Sequence, residues 1–140
     1  MKEEMETIST WLETSSGKTE TVVNLNISEF VYTDGNITKM TQTYKRNDIE
    51  GEEPTVTNMK YDKMTSPFRN STTPKWLLMD MFGFDFANQN NMTEQDDGYY
   101  KTTIEYEHDS AGFPLKAHIK RFTGGIAKES SVTTFEYKDF

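Results

Sequence analysis

The chain has 140 residues, a formal net charge of −8 and no cysteine. This length suits a single domain, residues 1–140, that buries a core without disulfides, and the lack of cysteine excludes thiol catalysis and thiolate metal sites. The acidic balance and the scattered lysines and arginines argue against a nucleic-acid binder, which needs a basic surface to displace counterions from phosphate.

The first half of the chain is predicted to form four antiparallel strands. Each candidate strand is rich in threonine, β-branched and aromatic residues, and polar stretches separate the strands. Between the second and third strands, Asp34-Gly35 is typical of a type I′ hairpin turn, whose two central residues both need positive φ. The predicted strands are Met5–Glu13, Thr19–Tyr32, Ile37–Lys45 and Thr55–Asp62.

A different pattern follows and predicts a short buried helix over residues 74–83. Thr73 suits the N-cap, Pro74 the first helical position and Gly83 the C-terminal stop. The residues between them are apolar on nearly every side, which indicates burial. The polar stretch 88–97 is predicted to be a long loop, so residues 66–97 form a helix and loop insertion after the fourth strand.

Three further strands are predicted at Tyr99–His108, Phe113–Phe122 and Glu129–Phe140. The expected fold class is mainly β, with about seven strands in an antiparallel meander. A one-sided sheet of this size must curl or be capped, so we expect a curled sheet or half-open barrel with the short helix against its apolar concave face.

The hairpin after Tyr99 carries enough pattern to predict a register. If Tyr106 faces Leu115, the apolar residues gather on one face and Glu105 lies opposite Lys116. The loop of this hairpin is then residues 109–112. The register of the Asp34-Gly35 hairpin stays open, because apolar residues occur at both parities of its first strand.

A short sequence motif occurs at least twice in the chain. Residues 30–39 and residues 104–116 both combine an aromatic strand end, a turn with Asp and Gly, and a second strand with a lysine near its start. Shorter echoes occur at residues 59–62 and 135–139. This repetition indicates that one small hairpin unit is reused along the chain.

The motif Tyr-x-Asp-Gly-Asn-Ile-Thr-Lys resembles the tyrosine-aspartate (YD) repeat, a short β-hairpin unit of secreted bacterial proteins. The order of YD-like hairpins, Tyr-Asp followed by Pro-Phe, a Trp-bearing insert and a final aromatic strand is similar to a family of secreted or lipid-anchored Bacteroidota-type proteins. That family is a domain of unknown function with a porin-like fold, and the similarity covers about residues 20–140. It implies export, a possible lipid anchor in the precursor and no established catalytic residues.

Two histidines and one polar segment are candidate metal ligands. In the expected register, His118 lies opposite Thr103 while His108 closes the loop, so the two are too far apart to share a metal and are expected to be solvated. Residues 88–98 are rich in the oxygen donors that calcium prefers but lack the spacing of a helix-loop-helix calcium site. We therefore predict no metal and no cofactor.

Carboxylates near the predicted insertion are the candidates for a small hydrolase. Glycoside hydrolysis needs only two carboxyl groups about 5–10 Å apart across a cleft. Acidic residues in loops are ordinarily solvated, however, so the chain is predicted not to be an enzyme. The candidate residues are Asp80, Asp85, Glu94, Asp96 and Asp97.

The aromatic residues also raise the question of sugar binding. The chain has nine phenylalanines, seven tyrosines and two tryptophans, and most must be core, since burying one aromatic stabilises by about 4–6 kcal/mol at most. Trp11 lies near the N-terminal edge, and Tyr99 and Tyr100 alternate faces so that one must point outward. Trp11 and one of these two tyrosines are the predicted surface aromatics.

The expected function is that of a non-catalytic, exported protein of binding or scaffolding type in a bacterial cell envelope. Its partner is a protein or a glycan, and the chain has no apolar run long enough to span a membrane. The expected location of the mature form is the periplasm, the outer membrane or the exterior, with the cytoplasm left open. Two alternatives are an acidic immunity or inhibitor protein that binds a basic partner, and a small carboxylate-dependent hydrolase.

Overall fold

The computed structural model describes residues 2–15, 18–47, 49–51, 53–67, 69 and 88–137, which form one antiparallel sheet. The strands run in the order β1-β2-β3-β5-β6-β7-β8-β9, and β4 pairs only with β3. The predicted mainly β meander is confirmed, with eight strands in line and a sheet that is not closed. The strands are β1 (Lys2–Ser15), β2 (Lys18–Thr33), β3 (Asn36–Arg46), β4 (Ile49–Glu50), β5 (Thr55–Thr65), β6 (Asn90–Asp96), β7 (Tyr100–His108), β8 (Pro114–Thr123) and β9 (Ile126–Thr134).

The additional strand is β6, and it corrects the prediction of a loop over residues 88–97. β6 lies between β5 and β7 and pairs with both. Its sequence is polar, but its side chains find partners on the neighbouring strands: Glu94 pairs with Lys60 and Lys101, and Asn91 with Asp62. Pairing with neighbouring strands overrides the weak β-propensity of this segment. Local composition does not show such pairing, because the partners are distant in the sequence.

Two other predictions have different outcomes. The predicted helix, residues 74–83, lies outside the described residues, and the described residues contain no helix. The last strand was predicted at Glu129–Phe140, but β9 begins three residues earlier and ends at Thr134. The reason is the tight turn at Gly124 and Gly125, whose φ angles of +55° and +79° let β9 start at once.

The Asp34-Gly35 turn is confirmed. Asp34 and Gly35 have φ angles of +51° and +76°, which is the positive pair that a type I′ turn needs. The register that the sequence left open places Phe30 opposite Met40 and has a bulge between Val31 and Tyr32. This register directs Phe30 into the core, where it is 2% exposed.

The predicted register of the β7–β8 hairpin is wrong by two residues. Tyr106 lies opposite Ala117 rather than Leu115, and Lys116 pairs with Glu107 rather than Glu105. A shift of two keeps every side chain on its predicted face, because strands have a period of two. The shift arises from a loop one residue longer than predicted and from a bulge between Glu107 and His108.

A carboxylate explains that longer loop. The Asp109 side chain accepts hydrogen bonds from the N–H groups of Ala111 and Phe113, both at 2.9 Å. The Asp109 N–H donates to the Phe113 carbonyl, also at 2.9 Å, and the Gly112 N–H donates to the Asp109 carbonyl at 3.1 Å. These bonds place His108 opposite Pro114 and so extend the loop by one residue.

The core lies on one face of the sheet. Two tyrosines border it, with the Tyr61 hydroxyl donating to the Ile37 carbonyl at 2.6 Å and the Tyr106 hydroxyl to the Met92 carbonyl at 3.0 Å. Their rings add apolar contact while their polar ends are satisfied. The buried cluster consists of Phe30, Ile37, Met40, Met59, Met92, Ile104 and Ala117.

Candidate functional site

Two turns meet at one end of the sheet, where β6 leads into β7 and β8 leads into β9. The Gly124 N–H donates to the Tyr99 carbonyl at 2.8 Å and joins the two turns. A side chain added at Gly124 would place its Cβ 3.6 Å from the Tyr99 ring. The two turns therefore form one continuous surface around Tyr99.

Tyr99 and Tyr100 form the exposed aromatic surface of this end, which we call the tyrosine patch. The two residues are 59% and 61% exposed, so the prediction that one of them points outward is confirmed, and both do. Their rings meet edge to face, with centroids 4.8 Å apart and planes at 86°. The side chain of Trp11, the other predicted surface aromatic, lies outside the described residues.

The backbone beneath the tyrosine patch is held by two aspartates. The Asp97 carboxylate accepts hydrogen bonds from the N–H groups of Tyr99 at 2.9 Å and Tyr100 at 2.6 Å. The Asp96 carboxylate accepts one from the Gly98 N–H at 2.8 Å. Because carboxylates that cap consecutive N–H groups rigidify a turn, the two exposed rings project from a fixed base.

A cavity of about 270 Å³ lies beside Tyr99. Its wall combines the aromatic side chains of Tyr99 and Phe122 with the polar side chains of Asp96, Lys101 and Thr103. These residues are scattered over three strands and a turn, and of them the sequence predicted only Tyr99 and Asp96 as candidate site residues. The pairing of Lys101 with both Phe122 and Asp96 brings the rest together.

Next to this cavity, charged side chains of alternating sign form a row across β5, β6 and β7. Glu94 lies 2.7 Å from the Lys60 ammonium and 2.9 Å from that of Lys101, which in turn lies 3.3 Å from Asp96. Hydrogen bonds from Lys60 and then Lys101 lower the pKa of Glu94. The hydrogen bond to Glu94 is the main cause that raises the pKa of Lys101, so both groups stay charged near neutral pH.

We expect this pairing to make stability depend on acid pH. Because the pKa of Glu94 is lower folded than unfolded, its contribution is present above the ordinary value of 4.5 and is lost as pH falls through the lowered pKa. Urea unfolding between about pH 6 and pH 3 should show a smaller loss of stability for Glu94→Gln than for the unsubstituted protein. The exposed Glu136→Gln variant is the control, and equal pH slopes for both variants would contradict the expectation.

Asparagines form a second polar cluster at the opposite end of the sheet. The Asn36 side-chain oxygen accepts the N–H groups of Gln89 at 2.9 Å and Asn90 at 3.0 Å, and its amide donates to the Asn90 side chain at 2.9 Å. The Asn88 side chain accepts the Ile37 N–H at 2.8 Å, and the Ser66 N–H donates to the Gln89 carbonyl at 2.9 Å. These bonds hold residues 66 and 88–90 together.

The two histidines lie in different surroundings. His108 was predicted to be solvated, which is wrong: its side chain is 19% exposed and its Nε2 lies 3.4 Å from both Asp62 and Asn91. Asp62 on β5 and Asn91 on β6 approach the His108 ring and account for its low exposure. His118 lies opposite Glu105 rather than Thr103, and its Nε2 is 2.7 Å from Glu107, so that His118 and Lys116 lower the pKa of Glu107.

The structure gives the other candidate ligands and carboxylates these positions. Glu94 and Asp96 flank Lys101, and Asp97 caps the tyrosine turn. Asp80 and Asp85 lie outside the described residues. The segment predicted as a possible calcium loop contains β6, and no group of three or more His, Asp or Glu side chains in the described part of the chain is arranged to hold a metal.

The fold and site thus define an open, single-sheet antiparallel β-protein with an exposed aromatic surface on a hydrogen-bonded turn at one end. Comparisons with protein-family models, with curated proteins and with solved structures found no match. In the described part of the chain, no helix has the length and apolar character needed to cross a membrane.

Proposed function

We propose that the protein is a non-catalytic binding protein whose binding surface is the tyrosine patch. The observation that carries this proposal is that Tyr99 and Tyr100 are about three-fifths exposed on a backbone fixed by the Asp97 carboxylate. Tyrosine offers a large, amphipathic contact area at a small cost in side-chain entropy. Rigid exposed tyrosines are therefore typical of recognition surfaces.

The patch tyrosines differ from the core aromatic residues in how much of their surface the folded chain buries. An aromatic side chain has about 150–250 Å² of surface, and burial stabilises by about 25 cal/mol per Å². Phe30 is buried and Tyr61 and Tyr106 pack against the core, whereas the two patch tyrosines leave most of their surface in water. A partner that covers both rings would gain the free energy of burying this aromatic surface, which the folded chain alone leaves exposed.

The test is binding to cell-envelope fragments of the source bacterium, measured by co-sedimentation. We expect the unsubstituted protein to sediment with the fragments, and the double variant Tyr99→Ala and Tyr100→Ala to lose affinity by about a hundredfold. This figure assumes about 1.4 kcal/mol for each ring, which is tenfold in affinity. Because both side chains are exposed, the substitutions should change the free energy of unfolding by less than about 0.5 kcal/mol.

The matched control is Tyr44→Ala. Tyr44 is also an exposed tyrosine, at 44%, but lies on β3 away from the patch. It should leave sedimentation unchanged. Equal affinity of the patch double variant and the Tyr44 variant would reject the tyrosine patch as the binding surface.

We further propose that this binding takes place in a bacterial cell envelope after export. The resemblance of the Asp34-Gly35 hairpin to YD-repeat proteins supports this location. Fractionation of source cells should recover the protein with the periplasm or the outer membrane. Recovery in the cytoplasmic fraction alone would reject export and leave the binding proposal to be judged by the sedimentation test.

A further inference from the structure

We infer that the cavity beside Tyr99 binds one neutral hexopyranose unit of a glycan. The inference rests on the proposed binding function and adds the chemical class of the ligand. The cavity, of about 270 Å³, lies just below the usual range of small-molecule sites, about 300–1,000 Å³. This volume suits a single ring and is too small for a folded peptide element.

The lining has the two kinds of surface that a pyranose presents. A pyranose ring has an apolar face of C–H groups and an edge of hydroxyl groups, each of which both donates and accepts hydrogen bonds. Tyr99 and Phe122 supply aromatic surface for the apolar face. Asp96 supplies an acceptor, Lys101 a donor and Thr103 a hydroxyl group for the edge.

The charges near the cavity favour a neutral sugar. Lys101 lies between two carboxylates, 2.9 Å from Glu94 and 3.3 Å from Asp96, so its positive charge is already compensated. An acidic sugar or a nucleotide phosphate would find no uncompensated cation here, because Lys60 and Lys101 are both paired with carboxylates, and it would meet the overall charge of −8. A neutral ring has hydroxyl groups that bond the same side chains without that repulsion.

The rim of the cavity leaves room for a longer glycan. Gly98 and Gly125 line the cavity, and a Cβ added at either would meet no atom within 4 Å. Their φ angles of +92° and +79° are strained for other residues, so the two turns keep the rim free of side chains. Sugar units on both sides of the bound ring therefore have room to extend beyond the cavity, which fits recognition within a polysaccharide chain.

The experiment is titration of the ¹⁵N-labelled protein with cellohexaose, maltohexaose and chitohexaose, followed by amide chemical shifts. We expect at least one of these neutral oligosaccharides to shift the amides of Gly98, Lys101 and Gly125. Tyr99→Ala should weaken that binding at least tenfold and Thr103→Val severalfold, whereas Tyr44→Ala should leave it unchanged. Thr103→Val keeps the side-chain shape and removes only the hydroxyl group.

Two results would overturn the inference. One is the absence of amide shifts with all three oligosaccharides while the patch tyrosines are still required for sedimentation with envelope fragments, which would leave the binding function in place and point to a protein partner. The other is binding that Tyr99→Ala does not weaken, which would place the sugar elsewhere. If the unsubstituted protein neither sediments with envelope fragments nor binds any of the oligosaccharides, the binding function itself is rejected.

Discussion

Replacing Phe30 with alanine is expected to lower the free energy of unfolding by about 3–5 kcal/mol. Phe30 is 2% exposed and lies in the buried cluster with Met40, its partner across β2 and β3. Removing the ring loses its transfer free energy and leaves a cavity in this buried cluster. Since a domain of this kind has about 5–15 kcal/mol of stability in total, the variant should be close to unfolding.

Urea unfolding followed by circular dichroism measures this effect. Tyr44→Ala, on the neighbouring strand, removes an aromatic ring that is 44% exposed and should cost much less. Phe30→Leu retains most of the apolar volume and should fall between the two. A loss for Phe30→Ala no larger than that for Tyr44→Ala would show that the core is not centred on this face.

Replacing Asn36 with alanine is expected to cost about 2–4 kcal/mol, although the substitution removes no apolar surface. Asn36 is 6% exposed, and its side-chain oxygen accepts two backbone N–H groups, those of Gln89 and Asn90. A donor left without a partner away from water costs about 1–3 kcal/mol. The loss should therefore come from two unpaired N–H groups and from the Asn90 side-chain oxygen, which loses the donor that Asn36 supplies.

Hydrogen exchange shows where in the sheet the Asn36→Ala substitution destabilises the structure. In Asn36→Ala, the amides of Gln89 and Asn90 should exchange faster than those of Tyr99 and Tyr100 at the other end of the sheet. Asn58→Ala is the control, because Asn58 is exposed on β5. Uniform faster exchange across the whole sheet, in place of a local change, would contradict a role for Asn36 in tying residues 88–90 to β3.

Local sequence patterns predicted the features that depend on neighbouring residues. The Asp34-Gly35 turn is one example, because positive φ at two successive positions is a property of those residues alone. The face assignment in β7 and β8 is another, since the parity of Ile104 and Tyr106 is independent of what lies across from them. The same alternation predicted that one of Tyr99 and Tyr100 is exposed, whereas the structure exposes both.

Features that depend on distant residues were not predicted. β6 has the composition of a loop, and it forms a strand because β5 and β7 supply partners for its polar side chains. His108 has the surroundings of a solvated histidine in sequence, but Asp62 and Asn91 approach it from other strands. The cavity likewise needs Phe122, which lies more than twenty residues from Tyr99 along the chain.

The sequence by itself determined that this is an acidic, cysteine-free β-meander with hairpins at defined turns, because turn chemistry and a period of two act within a few residues. Only the tertiary structure decided the register of β7 and β8 and the residues that share a site. A two-residue slip leaves every face unchanged, so local pattern is blind to it, and the Asp109 loop and the neighbouring bulge select one register. The same pairing places Lys101 beside both Asp96 and Phe122, which is what turns two exposed tyrosines into a candidate binding site.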